Sequence, residues 1–292
     1  MNFRKACLSL SLLMAGAAIC FAGEPLLKSG DKLAFLGDSI TQFGANKPSG
    51  YACLVISGLD ANGFKVAPVY AGISGHHSTE MLARVDRDAL SKKPAVMTLS
   101  CGVNDVWHGD RGVSLEDYKR NITQLVDKVQ AAGVKPVILT ATMIGEDPNN
   151  ANNKKLAAYN DFLRSFAKER NLPLADLNAQ MQEAVKDAKS SHATKPNSAN
   201  YLTVDGVHMA PEGDQVMALG VLRALGLDDE QIAKAKAAWL KIPKAAPLQG
   251  SALVSLEDYN NVAALAAKDG LSVKEYMDKK LGETVNQLLE SK

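Results

Sequence analysis

Three residues in this chain have the types and spacing that nucleophilic catalysis needs. Ser39 follows Gly37-Asp38 at the end of the apolar run Leu33-Ala34-Phe35-Leu36, and Asp205 and His208 lie three positions apart much later in the sequence. A serine hydroxyl is a weak nucleophile until a base takes its proton. Histidine, with an unperturbed pKa of ~6.5, suits that role. A carboxylate then fixes the imidazole tautomer and stabilises the ring once protonated. One turn can put Asp205 beside the ring of His208 and aim the ring at Ser39. The negative oxygen of a tetrahedral intermediate also needs preorganised donors. The backbone N–H groups of Ser39 and Gly72 and the side-chain amide of Asn104 can supply three. Gly72 has no Cβ, so a substrate oxygen can come close to its backbone. Taken singly, each piece has an ordinary reading. Asp-x-x-His is a solvated turn, a glycine is a turn residue, and an asparagine after a strand caps a helix. Their joint order carries the argument.

The elements that must position these groups alternate along the chain. Strands are expected through Leu36 and over Lys65–Tyr70, Ala95–Ser100, Pro136–Thr140 and Leu172–Leu177. A loop containing Pro48 and Gly50 follows the first. Helices are expected over Tyr51–Leu59, from Ser78 or Thr79 to about Leu90, from a cap at Ser114 to Gly133, over Leu156–Arg170 and Ala179–Ala188, and from beyond Gly213 to about Leu225. Asn149–Asn153 and Ser190–Asn200 are polar and loop-like. This alternation implies an α/β fold with a parallel sheet covered on both faces. The turns after its strands then open at one edge, where such sheets place ligands. Ser39 follows the first strand, Gly72 the second, and Gly102 and Asn104 the third. Asp38 and Asp105 are expected to fix their turns by accepting backbone N–H bonds.

The bulk properties exclude several function classes. The chain of 292 residues suits one large domain with an appendage, and its formal charge of +1 offers no strong field to nucleic acid or to an anionic membrane. Residues 1–22 read as a cleaved secretory signal: Arg4 and Lys5, then an apolar stretch from Leu8 to Phe21, then Ala22 before the cut. The stretch is short for a membrane span, which needs ~20 residues. Ile19 before Cys20 is bulky where a lipoprotein signal has a small residue. The expected product is exported, with no stable membrane insertion. Cys7 and Cys20 fall in the signal, while Cys53 and Cys101 sit in apolar runs and are expected as buried thiols. The main domain is expected over residues 24–227. Beyond it, residues 228–292 read as a helical extension, with helices over Asp228–Leu240, Leu256–Leu265 and Val273–Leu289, a linker over Pro243–Gly250 and no strand.

Four blocks together resemble the SGNH hydrolases, also called the GDSL esterase/lipase family. They are Phe35-Leu36-Gly37-Asp38-Ser39-Ile40-Thr41, Tyr70-Ala71-Gly72-Ile73-Ser74-Gly75, Ser100-Cys101-Gly102-Val103-Asn104-Asp105 and Asp205-Gly206-Val207-His208. The resemblance spans Lys32 to Ala224, and Ile40 in place of the family's leucine carries no chemical weight. It implies a three-layer α/β/α sandwich with a mainly parallel, flavodoxin-like sheet of about five strands. It also implies Ser39 as nucleophile, His208 as base, Asp205 as the orienting acid, and an oxyanion hole from Ser39, Gly72 and Asn104. No metal or organic cofactor is implied. The substrate class is a small-molecule or glycan ester, with O-acetyl groups on carbohydrate suggested by the resemblance to carbohydrate-esterase-like members and by the lack of a long apolar lid. A lysophospholipase, a thioesterase or a short-chain lipid esterase would use the same triad, and a non-catalytic carbohydrate-binding member is the reading outside enzymology. His76, His77, Trp107 and His108 follow the second and third blocks and can line the cleft; the ordinary reading of the histidines is exposed loop. They lack the i, i+4 spacing of a helical zinc motif.

Overall fold

Leu33–Leu36 is a short continuous apolar run bounded by turn residues, the pattern of a strand buried on both faces, and the fold is built outward from it. The computed structural model describes residues 25–191, 200–243, 245–248 and 252–290. In chain order the first elements are β1 (Lys32–Gly37), α1 (Ser39–Asn46), α2 (Tyr51–Ala61), β2 (Ala67–Gly72), α3 (Ser78–Asp88) and β3 (Val96–Ser100). There follow α4 (Val103–Trp107), α5 (Leu115–Ala131), β4 (Lys135–Leu139), α6 (Ala151–Glu169), β5 (Leu174–Ala175), α7 (Leu177–Ser191) and α8 (Pro211–Ala224). The last elements are α9 (Asp229–Trp239), β6 (Ala246–Leu248), β7 (Ala252–Val254), α10 (Leu256–Lys268) and α11 (Val273–Glu290).

Five strands form one parallel sheet in the order β2-β1-β3-β4-β5. Helices α2, α7, α8 and α9 pack together as one layer, and α3, α5 and α6 as the other. The chain runs outward from β1 to β2 and then returns to the opposite side of β1 to lay down β3. At such a reversal the loops leave a crevice beyond the carboxyl ends of the strands, and Ser39 and Asn104 lie just past the two strands that flank it. Strands β1, β3 and β4 are almost wholly buried. Strand β2 is the partly exposed edge, and there Pro68 costs no ladder bond.

Several expectations need correction. The stretch after Ser39 is helical from Ser39 to Asn46, and Val103–Trp107 is helical too. Both helices are short, and α1 contains Gly44, so propensity gives no signal; Asp38 caps α1, and β2 and α2 pack against it. Helix α6 begins at Ala151 with Asn150 as its cap, inside the expected loop. Helix α7 reaches Ser191; the remainder of the expected loop to residue 199, and the expected signal at residues 1–22, lie outside the described residues. The tail contains strand as well as helix, because Ala246–Leu248 pairs antiparallel with Ala252–Val254 across the expected linker. Three-residue strands are too short to show a period of two.

The tail packs closely against the layers. Trp239 of α9 is buried, and its indole N–H donates to the Leu54 carbonyl of α2 at 2.8 Å. The Tyr259 hydroxyl of α10 donates to the Glu212 carboxylate of α8, with O···O distances of 2.7 and 2.8 Å to its two oxygens. Cys53 and Cys101 are both free thiols, the second buried and the first half-buried. Among the described residues no helix is long and apolar enough to cross a membrane.

Candidate active site

Strand β1 ends at Gly37 and α1 begins two residues later. Asp38 makes the change of direction possible: its Oδ1 accepts the Ile40 N–H at 2.9 Å and so caps the helix. Ser39 is therefore the first helical residue, with its hydroxyl at the positive end of the helix dipole. The Asp38 carboxyl is buried beneath it. Burial pushes its pKa up to about 6, opposed by the Ile40 N–H and by His208, and reinforced by the nearby carboxylate of Asp105.

The segment before α8 folds back on itself. Thr203 bridges antiparallel to Met209, and the Val204 N–H donates to the His208 carbonyl at 2.8 Å. Within this turn Asp205 Oδ1 accepts the N–H groups of Val207 and His208 at 3.0 and 2.8 Å. Its other oxygen, Oδ2, lies 2.6 Å from Nδ1 of His208. A carboxylate can only accept, so Nδ1 carries the proton and Nε2 presents a lone pair. That lone pair faces Ser39, whose Oγ is 2.9 Å from Nε2. Burial raises the Asp205 pKa, but the hydrogen bonds from the His208 ring and from the His208 and Val207 amides outweigh it and leave the carboxyl below its ordinary value. The Phe43 ring of α1, itself 43% exposed, lies 4.9 Å from the imidazole at 49°.

Gly72 ends β2 in register with Gly37. The Ile73 N–H donates to the Gly37 carbonyl; because amides alternate along a strand, the Gly72 N–H points away from β1. The structure adds a reason for glycine here beside the expected one. A Cβ on Gly72 would lie 2.3 Å from the Gln42 nitrogen and 2.7 Å from the Thr41 carbonyl carbon, so α1 crosses β2 where only glycine fits. Asn104 is held by α4, which starts from Gly102 at φ +129°, and one of its amide N–H groups donates to the His76 carbonyl at 3.0 Å. Asp105 accepts no backbone N–H of its own turn, where its Oδ2 takes only the Cys101 thiol at 3.5 Å. Its Oδ1 accepts the Ser78 N–H and hydroxyl at 3.0 and 2.6 Å, which pins the start of α3 to α4. Cys101 packs below, with burial and the carboxylates of Asp105 and Asp38 pushing its thiol pKa well up. It is a core residue.

One positioning group escaped sequence reasoning. Arg84, buried in α3, donates to the carbonyls of Gly37 and Ala71 at 2.8 Å each and to Nδ1 of His76 at 3.0 Å. A single guanidinium thus ties together the ends of β1 and β2 and the loop that accepts from Asn104. Phe43 was missed as well. Both stand in helices where arginine and phenylalanine are unremarkable in type and spacing.

The histidines after the second block are half-buried and not exposed loop. His77 Nδ1 lies 3.2 Å from Glu80, and its Nε2 lies 2.9 Å from Nδ1 of His108. The two rings bond to each other and do not converge on a common point, and among the described residues no group of three or more His, Cys, Asp or Glu could hold a metal ion. Burial, then the neighbouring His77, lowers the pKa of His108; burial and Arg84 do the same for His76. Trp107 is 42% exposed and stacks on His108 at 6.2 Å and 15°.

Residues 35–216 match the GDSL-like Lipase/Acylhydrolase family. The chain is similar to an acetylxylan esterase of Geobacillus stearothermophilus, at 26% identity over 68% of this chain and 96% of the relative. The crystal structure of that esterase, Axe2, superimposes with a TM-score of 0.61 over 69% of this chain and 97% of its own. The esterase TesA of Pseudomonas aeruginosa is 31% identical over 134 residues, which are 46% of this chain and 60% of that one.

Proposed function

Because the chain belongs to the GDSL-like lipase/acylhydrolase family and is a carboxylic-ester hydrolase, we propose that it removes O-acetyl groups from carbohydrate through a Ser39 acyl-enzyme. The observation that carries this reading is the unbroken line from Ser39 Oγ to His208 Nε2 at 2.9 Å and from His208 Nδ1 to Asp205 Oδ2 at 2.6 Å.

In the proposed reaction His208 Nε2 takes the Ser39 proton as Oγ attacks the ester carbonyl carbon. The carbonyl oxygen becomes negative and is met by the N–H groups of Ser39 and Gly72 and by the Asn104 amide N–H that does not serve His76. Asp205 holds the imidazolium that forms. His208 then gives its proton to the leaving alcohol as the C–O bond breaks. Water, deprotonated by the same nitrogen, attacks the acyl-enzyme; acetate leaves and Ser39 regains its proton. His108 and the exposed indole of Trp107 stand one helical turn beyond Asn104, where an aromatic face can stack on a sugar ring. Similarity to an acetylxylan esterase supports acetylated glycan as the substrate class. The basic and then apolar residues 1–22 support export.

A second reading has its own observation. Phe43 and Val204 expose apolar surface beside His208, which suits a longer acyl chain. Hydrolysis of p-nitrophenyl esters from acetate to octanoate, by wild type and by Ser39→Ala, separates the two. Acetate-selective turnover that vanishes in the variant supports the deacetylase, and turnover rising with chain length supports the lipid or thioester reading. Full activity in Ser39→Ala removes the nucleophile assignment.

A further inference from the structure

Helix α6 grips the chain that leaves β4. Asn160 Oδ1 accepts the Ala141 N–H and its Nδ2 donates to the Ala141 carbonyl, at 2.8 and 2.9 Å. Asn153 accepts from the Ile144 N–H at 2.9 Å and donates to the carbonyls of Gly145 and Asp147 at 2.9 and 2.7 Å. Asn150 donates to the Ile144 carbonyl at 2.7 Å. Side-chain amides therefore lock residues 141–147 in one conformation, and Glu146 projects from that locked segment.

The Glu146 carboxylate is buried, and four donors from one short stretch converge on it. Its Oε2 accepts the Tyr201 N–H at 2.6 Å. Its Oε1 accepts the N–H groups of Leu202 and Thr203, each at 2.8 Å, and the Thr203 hydroxyl at 2.7 Å. The Thr203 oxygen in turn accepts the Gly206 N–H at 3.1 Å, and the Gly206 carbonyl accepts the Gly145 N–H at 2.7 Å. The turn that carries Asp205 is thus fixed on both flanks. An ionised carboxylate is acceptor-only; here three donors meet Oε1 and one meets Oε2, and charge-assisted bonds of this kind are the strong ones. Asp205 itself is 48% exposed on its side chain, so its aim at His208 depends on the backbone beneath it.

We propose that Glu146 is a positioning residue for the reaction: its charge sets the register of residues 201–206 and so holds the Asp205 carboxylate against His208. This rests on the proposed triad. A purely structural contact would cost stability and leave the turnover of folded molecules alone. A positioning residue lowers kcat, because a misplacement of about 1 Å can cost about a hundredfold.

The test uses the full chain with Glu146→Gln, which keeps the shape but sets an N–H against at least one donor, and with Thr203→Val, which removes only the hydroxyl relay. Four quantities are measured: kcat and KM on p-nitrophenyl acetate, the thermal midpoint, and the downfield proton resonance of the His208 Nδ1–H. For Glu146→Gln we expect kcat lower by about tenfold to a hundredfold, KM unchanged, and the resonance broadened or lost in a folded protein. Thr203→Val should move the same quantities less. Wild-type kcat and an intact resonance in folded Glu146→Gln overturn the proposal. If that variant does not fold, Thr203→Val decides by the same criteria. Ser39→Ala is measured alongside: should it stay active, the failure lies with the nucleophile, while the resonance still judges Glu146.

Discussion

The α-carbon of Gly72 faces the amide nitrogen of Gln42 so closely that a Cβ there would stand 2.3 Å away. Both atoms belong to backbone, so neither can swing aside. Gly72→Ala must push α1, and Ser39 with it, away from β2. We expect a loss of about 1–3 kcal/mol in urea unfolding, the range for overpacked sites, together with at least a tenfold fall in kcat, about the lower end of what misplacement costs. A variant as stable and as active as wild type would show that α1 can shift freely.

Stability should depend on pH through Asp38. Its carboxyl, ordinarily near 3.8, is raised to about 6 by burial, with the Ile40 N–H and His208 opposing. The folded state therefore favours the protonated form. The stabilisation from this group is complete below the unfolded value and is lost as pH rises through about 6. Asp38→Asn is neutral throughout and keeps an oxygen for the Ile40 N–H. Between pH 4 and 7 its unfolding free energy should gain on wild type by up to about 3 kcal/mol. Parallel curves for the two proteins would refute the raised value. Asp214, also raised to about 6 by burial against the pull of Lys47, acts alike in both and cancels.

Trp107 offers its indole to solvent while stacking on His108. Trp107→Ala should leave the thermal midpoint and the turnover of p-nitrophenyl acetate close to wild type. For acetylated xylo-oligosaccharides KM should rise about threefold to tenfold, the worth of one stacking contact. Equal effects on both substrates would place the indole outside the sugar path.

A chain ending at Gly226 lacks Trp239, Ile232 and Ala235, which cover α2. Loss of a buried tryptophan alone costs about 3–5 kcal/mol, so this truncation should be insoluble or unfolded. A chain ending at Gly270 lacks only α11, whose Leu281 and Val285 are exposed, and should stay soluble and active. Comparing soluble yield and melting for the two truncations tests whether residues 228–292 form one separable extension.

The parallel sheet and the edge that carries the candidate site were legible because β1, β3 and β4 are largely apolar runs that stop at Gly-Asp-Ser, Cys-Gly-Val-Asn and Thr-Ala-Thr. Fully buried strands must read that way. Helices α1 and α4 were not, since tertiary contacts and the Asp38 cap hold them. Arg84 and Glu146 were hidden for another reason. A buried arginine on two carbonyls and a solvated one have the same letter and the same helical neighbours, and Glu146-Asp147-Pro148 looks like any polar turn. Only the fold shows where their charges go.

Ser39 and His208 stand 169 positions apart. A growing polypeptide has the hydroxyl early and the imidazole only after most of the sheet has been made. Until then Ser39 lacks the base that the folded site aims at it. On the proposed assignment the nascent chain becomes an ester hydrolase only after the turn carrying His208 has closed and α9 has packed its Trp239 onto α2.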